Sequence, residues 1–208
     1  MEEFWETSFR EKQEMWGFES THSAATALAL FRENSLQKIL IPGFGYGRNA
    51  RLFIDDGFDV TGIEISETAI ALAKKHSGEN LKVYHGSVVD MPFDQVLYDG
   101  VFCYALIHLL NSRERVKLIR DCFSQLRQGG YMVFVTVSKD YPTYGRGRQL
   151  SKDRFETMPG VNLYFYDPDT IRRDFGKYGL VDFVRIDEAA NSTDHKLSLK
   201  FWYIVCRK

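Results

Sequence analysis

Apolar residues in this chain fall into short blocks, separated by longer stretches in which they recur every three or four positions. The blocks 38–41, 59–63, 81–84 and 100–104 read as buried strands, and the first stops at Pro42-Gly43 as a strand entering a tight turn would. Helical patterns lie between them. Residues 22–33 carry Ala25, Leu28 and Ala29 among good helix formers. A stretch over 47–56 is closed by Gly57, and Ser66-Glu67-Thr68 opens a further helix whose apolar face is Ala69, Ile70, Leu72 and Ala73. Val116, Leu118-Ile119, Phe123 and Leu126 predict a helix running to the stop signal Gly129-Gly130. Residues 131–137 are then a fifth buried strand. Residues 138–166 break the rhythm with Pro, Gly, Arg and Tyr. A helix over 168–178, with Gly179 at its end, precedes two strands near 180–187 and 198–206 around a polar turn at Asn191-Ser192-Thr193-Asp194.

Strand and helix alternate from 38 to 187, which predicts an α/β fold with a doubly wound, mostly parallel seven-stranded sheet. The last two strands have no helix between them and are expected to pair antiparallel. The pattern predicts one domain over 1–208. It begins with an arm and helix over 1–35, the arm rich in aromatics (Phe4, Trp5, Phe9, Trp16, Phe18), and carries an insertion over 138–166. No internal repeat is visible.

Composition narrows the class. A length of 208 residues suits one domain with a sizeable core. A net charge of −1 and the lack of a basic stripe argue against nucleic acid or an anionic membrane as partner. No run of about 18 apolar residues is present to span a bilayer. The acidic start Met1-Glu2-Glu3 is unlike a signal peptide, and Cys103, Cys122 and Cys206 are scattered and odd in number. The expectation is a cytoplasmic enzyme, monomer or homodimer, with reduced and mostly buried thiols.

In open parallel sheets ligands bind beyond the carboxyl ends of the strands at the switch point. The first strand ends in Ile41-Pro42-Gly43-Phe44-Gly45-Tyr46-Gly47-Arg48-Asn49. Glycines at alternate positions permit unusual dihedrals and close approach of a ligand, and amides at the start of the next helix can receive an anion. The second strand ends in Glu64, about 20 residues on, where a carboxylate can accept hydrogen bonds from ribose hydroxyls. A dinucleotide fingerprint G-x-G-x-x-G would need glycine at 48, where Arg48 stands. A methyl donor is therefore favoured over a nicotinamide.

These features resemble the class I S-adenosylmethionine-dependent methyltransferases, strongly over 36–137 and in element order elsewhere. The glycine segment is similar to the family's first motif, and Glu64 to its ribose-binding acid. Residues 86–93 (GSVVDMPF) resemble the segment edging the adenine, 98–104 (YDGVFCY) the fourth-strand motif, and 126–130 (LRQGG) the turn before strand five. Pro42 stands where the family commonly has an acid, and Ser87 where it often has Asp. Pro42-Gly43 is similar to the thiopurine and thiol/halide branch, and Gly47-Arg48-Asn49 to the tellurite-resistance branch. The resemblance implies a Rossmann-like fold, with S-adenosylmethionine held by Gly43, Phe44, Gly45, Gly47, Arg48, Asn49, Glu64, Ile65, Ser87, Val88, Cys103, Tyr104 and Trp16.

Its activity would be in-line methyl transfer to a small molecule. Tyr46, Tyr104 and Trp16 are candidates to face a sulfonium by cation–π attraction. His108, just after strand four, is the candidate general base, with Tyr104 as a second catalytic candidate; an already acidic acceptor would need neither. His22 is a weaker candidate in the arm, and His76, His85 and His195 read as surface or loop residues. Two readings of the insertion stand side by side: Tyr141, Tyr144, Phe155, Tyr164, Phe165 and Tyr166 wall the acceptor site, with Arg146 and Arg148 holding an anionic group, or these aromatics anchor a mobile polar insertion to the sheet. No His/Cys cluster has metal-ligand spacing, so no metal is expected. The alternatives are a nicotinamide oxidoreductase and a non-catalytic S-adenosylmethionine-binding protein. Base-flipping chemistry is disfavoured because Tyr104-Ala105-Leu106-Ile107 replaces the tetrapeptide that grips a flipped base.

Overall fold

The structure, a computed structural model, describes residues 2–191 and 194–208, with side chains described over 3–188 and 198–208. The chain opens with helices α1 (Glu2–Lys12) and α2 (His22–Glu33), and then alternates β1 (Lys38–Pro42), α3 (Ala50–Asp55), β2 (Asp59–Glu64), α4 (Glu67–Ser77), β3 (Lys82–His85), β4 (Tyr98–Tyr104), α5 (Ser112–Ser124) and β5 (Leu126–Val137). The short strands β6 (Arg148–Ser151), β7 (Arg154–Met158) and β8 (Val161–Tyr164) follow, then α6 (Pro168–Phe175), β9 (Leu180–Asn191) and β10 (Asp194–Arg207). The tip of the last turn, Ser192-Thr193, lies outside the described residues.

Seven strands form one sheet in the order β3-β2-β1-β4-β5-β10-β9, parallel except that β10 runs antiparallel to both of its neighbours. The order reverses between β1 and β4, so the crevice at their carboxyl ends is the switch point. Strand alternation divides the core. Val101, Cys103, Met132 and Phe134 face one side and pack with Leu118, Ile119 and Cys122 of α5 and Ile171 and Phe175 of α6. Phe102, Val133 and Val135 face the other and pack with Ala24, Ala27 and Phe31 of α2 and Phe53 of α3. All three cysteines are buried free thiols.

Helix starts follow the capping chemistry of the sequence. Ser66 Oγ accepts from the Ala69 amide, Asn111 and Glu114 make a reciprocal capping box, and Asp167 and Thr170 make another ahead of Pro168. One helix end departs from expectation. α5 stops at Ser124, and Gly129-Gly130 falls inside β5. The Lys208 ammonium takes up the carbonyls of Phe123, Ser124 and Leu126 at 3.0, 3.1 and 2.8 Å. With its last carbonyls satisfied from a remote residue, the helix needs no glycine stop.

The 138–166 segment, expected only as a break in rhythm, contains a three-stranded antiparallel sheet, β6-β7-β8. Tyr144, Phe155 and Phe165 interlock edge to face with centroids 5.3–6.0 Å apart and anchor it to the main core. Gly62 in β2 is a packing requirement, because a Cβ there would collide with the Phe44 ring. Gly62→Ala should cost about 1–3 kcal/mol by overpacking; urea denaturation checks this, and unchanged stability would show that Phe44 has room to move.

Candidate functional site

The glycine loop turns at the tip of β1 with Gly43, Gly45 and Gly47 all at positive φ (72°, 57° and 83°). Such angles strain any residue with a Cβ, and at Gly43 an added Cβ would also meet the Leu106 side chain at 3.1 Å. The loop is closed on itself more than the sequence suggests. The amides of Gly43 and Phe44 donate to the Ile63 carbonyl at 2.9 and 3.0 Å, and the following helix has only six residues. The expected row of free helix-start amides is therefore reduced.

Glu64, at the tip of β2, is 6% exposed. Its Oε2 accepts from the Gly45 amide at 2.7 Å, and its Oε1 from the amides of Ile65 and Ser66 at 2.9 and 3.0 Å. Burial raises its pKa, against the opposing pull of those three amides. A carboxylate offers roughly four acceptor sites, so one remains, and a second hydroxyl could be accepted only by releasing an amide.

The aromatic arm, which includes α1, folds over this loop. The Trp16 and Tyr46 rings stack at 6.2 Å and 10°, and Phe9 meets both edge-on. The Tyr46 hydroxyl donates to the Gly17 carbonyl at 2.7 Å and accepts from the Trp16 amide at 3.2 Å. Arg48 Nη1 donates to the Trp16 carbonyl at 2.8 Å, and its guanidinium lies 6.0 Å from the Tyr104 ring centre. The residue that breaks the dinucleotide fingerprint thus fastens the arm. Asn49 is occupied in the same way, its Oδ1 accepting from the Thr21 amide at 3.0 Å and from the Thr21 hydroxyl. Farther out, Glu6 accepts from Ser66 Oγ at 2.6 Å and from Thr68, and Glu14 pairs with His76 at 2.9 Å. His76, read from sequence as an isolated surface residue, is an anchor of the arm.

Arm, loop and sheet tips enclose a cavity of about 340 Å³. Of the candidate donor residues, Trp16, Gly43, Phe44, Gly45, Arg48, Asn49, Glu64, Ile65, Ser87, Val88 and Tyr104 line it. Gly47 and Cys103 do not. Gly47 sits where the loop packs on Phe44. Cys103 is fully buried on the opposite face of β4, as strand alternation next to Tyr104 requires, and burial raises its thiol pKa. The Ser87 hydroxyl caps the turn over 88–90 by accepting from the Val89 amide at 3.4 Å.

The other end of the cavity is apolar. It is lined by Ala105, Leu106, Leu109 and Leu110 after β4, Val137, Tyr141, Val161 and Leu163, and Leu199 and Phe201 from β10. Phe201 joins Tyr104 and Tyr141, with ring centres at 5.9 and 5.6 Å. Of the six aromatics expected to wall this end, only Tyr141 lines it. Tyr144, Phe155 and Phe165 pack behind it, while Tyr164 and Tyr166 turn to the other face. Arg146 is exposed and off the cavity, and Arg148 pairs with Glu156 at 2.8 Å in solvent, so neither holds a group inside. Leu199 and Phe201 were missed. Their only signal is alternation with Lys200, which marks a face but not what it faces.

His108 lines this apolar end and is 5% exposed. Nδ1 lies 3.2 Å from Thr136 Oγ1 and 3.4 Å from the Val137 amide. The amide can only donate, so this network makes Nδ1 the acceptor and assigns the neutral ring's proton to Nε2. Burial lowers its pKa from 6.5 to about 3. A ring so disposed is a poor proton acceptor near neutrality, at odds with the general-base expectation.

Residues 39–130 match the family described as a methyltransferase domain. The matched segment is 92 of the 208 residues, and in fold the chain is similar to S-adenosylmethionine-dependent methyltransferases of known structure. It is 24% identical over 145 residues to the demethylmenaquinone methyltransferase of Staphylococcus epidermidis, covering 60% of this chain and 58% of that protein. It is 25% identical over 109 residues to the ubiquinone biosynthesis O-methyltransferase of Coxiella burnetii, covering 51% and 46%. The matches thus span less than two thirds of either relative. In fold, the chain is similar to Burkholderia thailandensis 1,6-didemethyltoxoflavin-N1-methyltransferase, solved with 1,6-didemethyltoxoflavin and S-adenosylhomocysteine. The TM-score is 0.76 at 17% identity, covering 100% of this chain and 86% of that one. Among the described residues, no helix is long and apolar enough to cross a membrane.

The depressed His108 pKa has a consequence for stability. Because the folded state keeps the ring neutral while the unfolded chain protonates it, this contribution is fully present above pH 6.5. It is lost as pH falls toward 3, by about 1.4 kcal/mol per pH unit. Urea midpoints from pH 7.5 to 5.5 should fall more steeply for the wild type than for His108→Asn; parallel curves would place a charged or solvated ring at this position.

Proposed function

We propose that this protein transfers a methyl group from S-adenosylmethionine to a small, flat, largely apolar acceptor whose reacting atom is already nucleophilic at working pH. The observation that carries this reading is the two-ended cavity, with a buried carboxylate and glycine loop at one end and an apolar aromatic chamber at the other. Glu64 would hold the donor's ribose, Ile65, Ser87 and Val88 would edge its adenine, and Trp16 and Tyr104 would flank the remainder. When bound, S-adenosylmethionine supplies an electrophilic methyl group on a sulfonium, for in-line transfer to the acceptor's lone pair. The arm excludes water, and the Tyr104–Phe201–Tyr141 walls orient a planar ring. His108 donates through Nε2 to the acceptor and removes no proton. An acceptor with an acidic hydroxyl, thiol or ring N–H meets that requirement. The relatives' names refer to demethylmenaquinone and to ubiquinone biosynthesis, and the fold neighbour's to 1,6-didemethyltoxoflavin, which supports a small-molecule acceptor.

Replacing Glu64 with Ala should weaken S-adenosylhomocysteine binding by about 1.5–3 kcal/mol, the scale of a hydrogen bond to a charged group. Calorimetry measures this, and unchanged affinity removes Glu64 from the donor site. A panel of phenols, thiols, amines and carboxylic acids with labelled donor should show turnover that follows acceptor ionisation. The pH–rate profile of His108→Asn should keep the wild-type inflection. Donor binding without turnover on any of them would favour a non-catalytic binding protein.

A further inference from the structure

A second cavity, also about 340 Å³, lies between the first turn of α5 and the small sheet, away from the site described above. It is lined by Asn111, Ser112, Arg113, Arg115, Ser151, Arg154 and Tyr164. Three of these are arginines and none is an acid. Arg115 is 4% exposed, with its guanidinium centre 3.7 Å from the Tyr164 ring centre. Its Nη1 donates to the Leu110 carbonyl at 3.1 Å, but its Nε has no hydrogen-bond partner, and Asp174 stands off at 4.0 Å. The Arg154 Nε is likewise buried and unpartnered.

The nearby carboxylates are committed elsewhere. Glu114 closes the capping box by accepting from the Asn111 amide at 2.7 Å. Asp174 pairs with Arg173 at 2.8 Å, and Asp153 and Asp167 both pair with Lys139, at 2.9 and 2.6 Å. Asp169 faces Arg172 at 3.4 Å. Among the described residues no carboxylate lies within 4.0 Å of Arg113 or Arg154. Burial and the like charge of Arg115 lower the Arg154 pKa, against the smaller opposing pull of Glu114. Buried cations are ordinarily paired, and the positive end of a 13-residue helix adds to the same field.

We propose that this cleft is an oxyanion site that takes a phosphate group, free or as the monoester of a small metabolite. Guanidinium groups from α5 and β7 supply forked donors, and the hydroxyls of Ser112 and Ser151 line the same space. The cavity volume lies within the range of small-molecule sites and leaves room for more than a bare anion. The site does not depend on the donor-site reading, because it shares no lining residue with that cavity.

The test is thermal unfolding of the full chain at constant ionic strength, with chloride replaced by inorganic phosphate or by glycerol phosphate. The expected result is a saturable rise in Tm that is lost in Arg154→Gln and weakened at least threefold in apparent affinity in Ser151→Ala, a variant that leaves the charges intact. S-adenosylhomocysteine affinity should stay unchanged in both. Saturation by glycerol phosphate at a tenfold lower concentration assigns a phosphorylated metabolite, and equal concentrations assign free phosphate. Absence of a saturable rise with either compound, or an undiminished rise in Arg154→Gln, overturns the proposal.

Discussion

The buried carboxylate of Glu64 is the constraint on which the rest of the site depends. A carboxylate among apolar side chains persists only when its oxygens are satisfied, and here the partners come from two segments, the loop after β1 and the start of α4. One side chain therefore ties together the tips of β1 and β2 and the first turn of a helix. The loop can reach it only because its glycines adopt left-handed angles and Gly62 leaves space for Phe44 beneath it. The arm is tied to the same place, since Ser66, whose amide Glu64 accepts, donates through its hydroxyl to Glu6. The glycine-loop end of the cavity and its cover thus share an anchor.

The opposite end of the cavity is built on a different principle. Its walls come from the tip of β4, the small sheet and β10, segments far apart in the chain, and they contribute rings and branched side chains rather than charges. Its one imidazole is held neutral by burial. Such a chamber favours positioning and exclusion of water over proton transfer, which suits a reaction whose barrier is lowered chiefly by alignment. Ala105 lines this chamber with φ of 52°, a strained angle for a residue with a Cβ, held by the hydrogen bond that its N–H donates to the Val135 carbonyl at 2.9 Å.

β8 serves two cavities because its side chains alternate. Val161 and Leu163 turn to the apolar chamber, and Tyr164 turns to the arginine-lined cleft. The small sheet is therefore a shared wall rather than a simple cover, and its Lys139–Asp153–Tyr144 contacts hold it in place from the main-sheet side.

Much of the architecture was legible because it rests on local signals. Blocks such as 38–41 and 100–104 can only be strands in a sheet buried on both faces, Ser66 and Asn111 mark helix starts through hydrogen bonds to their own neighbours, and the spacing of the glycine loop from Glu64 follows from one β-α-β turn. Where the outcome depended on distant partners, local signals misled or were silent. The end of α5 is decided by Lys208, the role of Arg48 by the arm it fastens, and the state of His108 by the apolar residues that bury it. Leu199 and Phe201 alternate as any half-buried strand would, and only the position of β10 beside β5 turns them toward the cavity. By itself the sequence determined the order of strands and helices of the main sheet, though not the small sheet within 138–166, and the residues at the strand tips, since these follow from periodicity and hydrogen bonds within a few residues. Which of those residues meet across the crevice, and which are already occupied, was decided only by tertiary packing, because burial and long-range hydrogen bonds set the charge, tautomer and reach of a side chain.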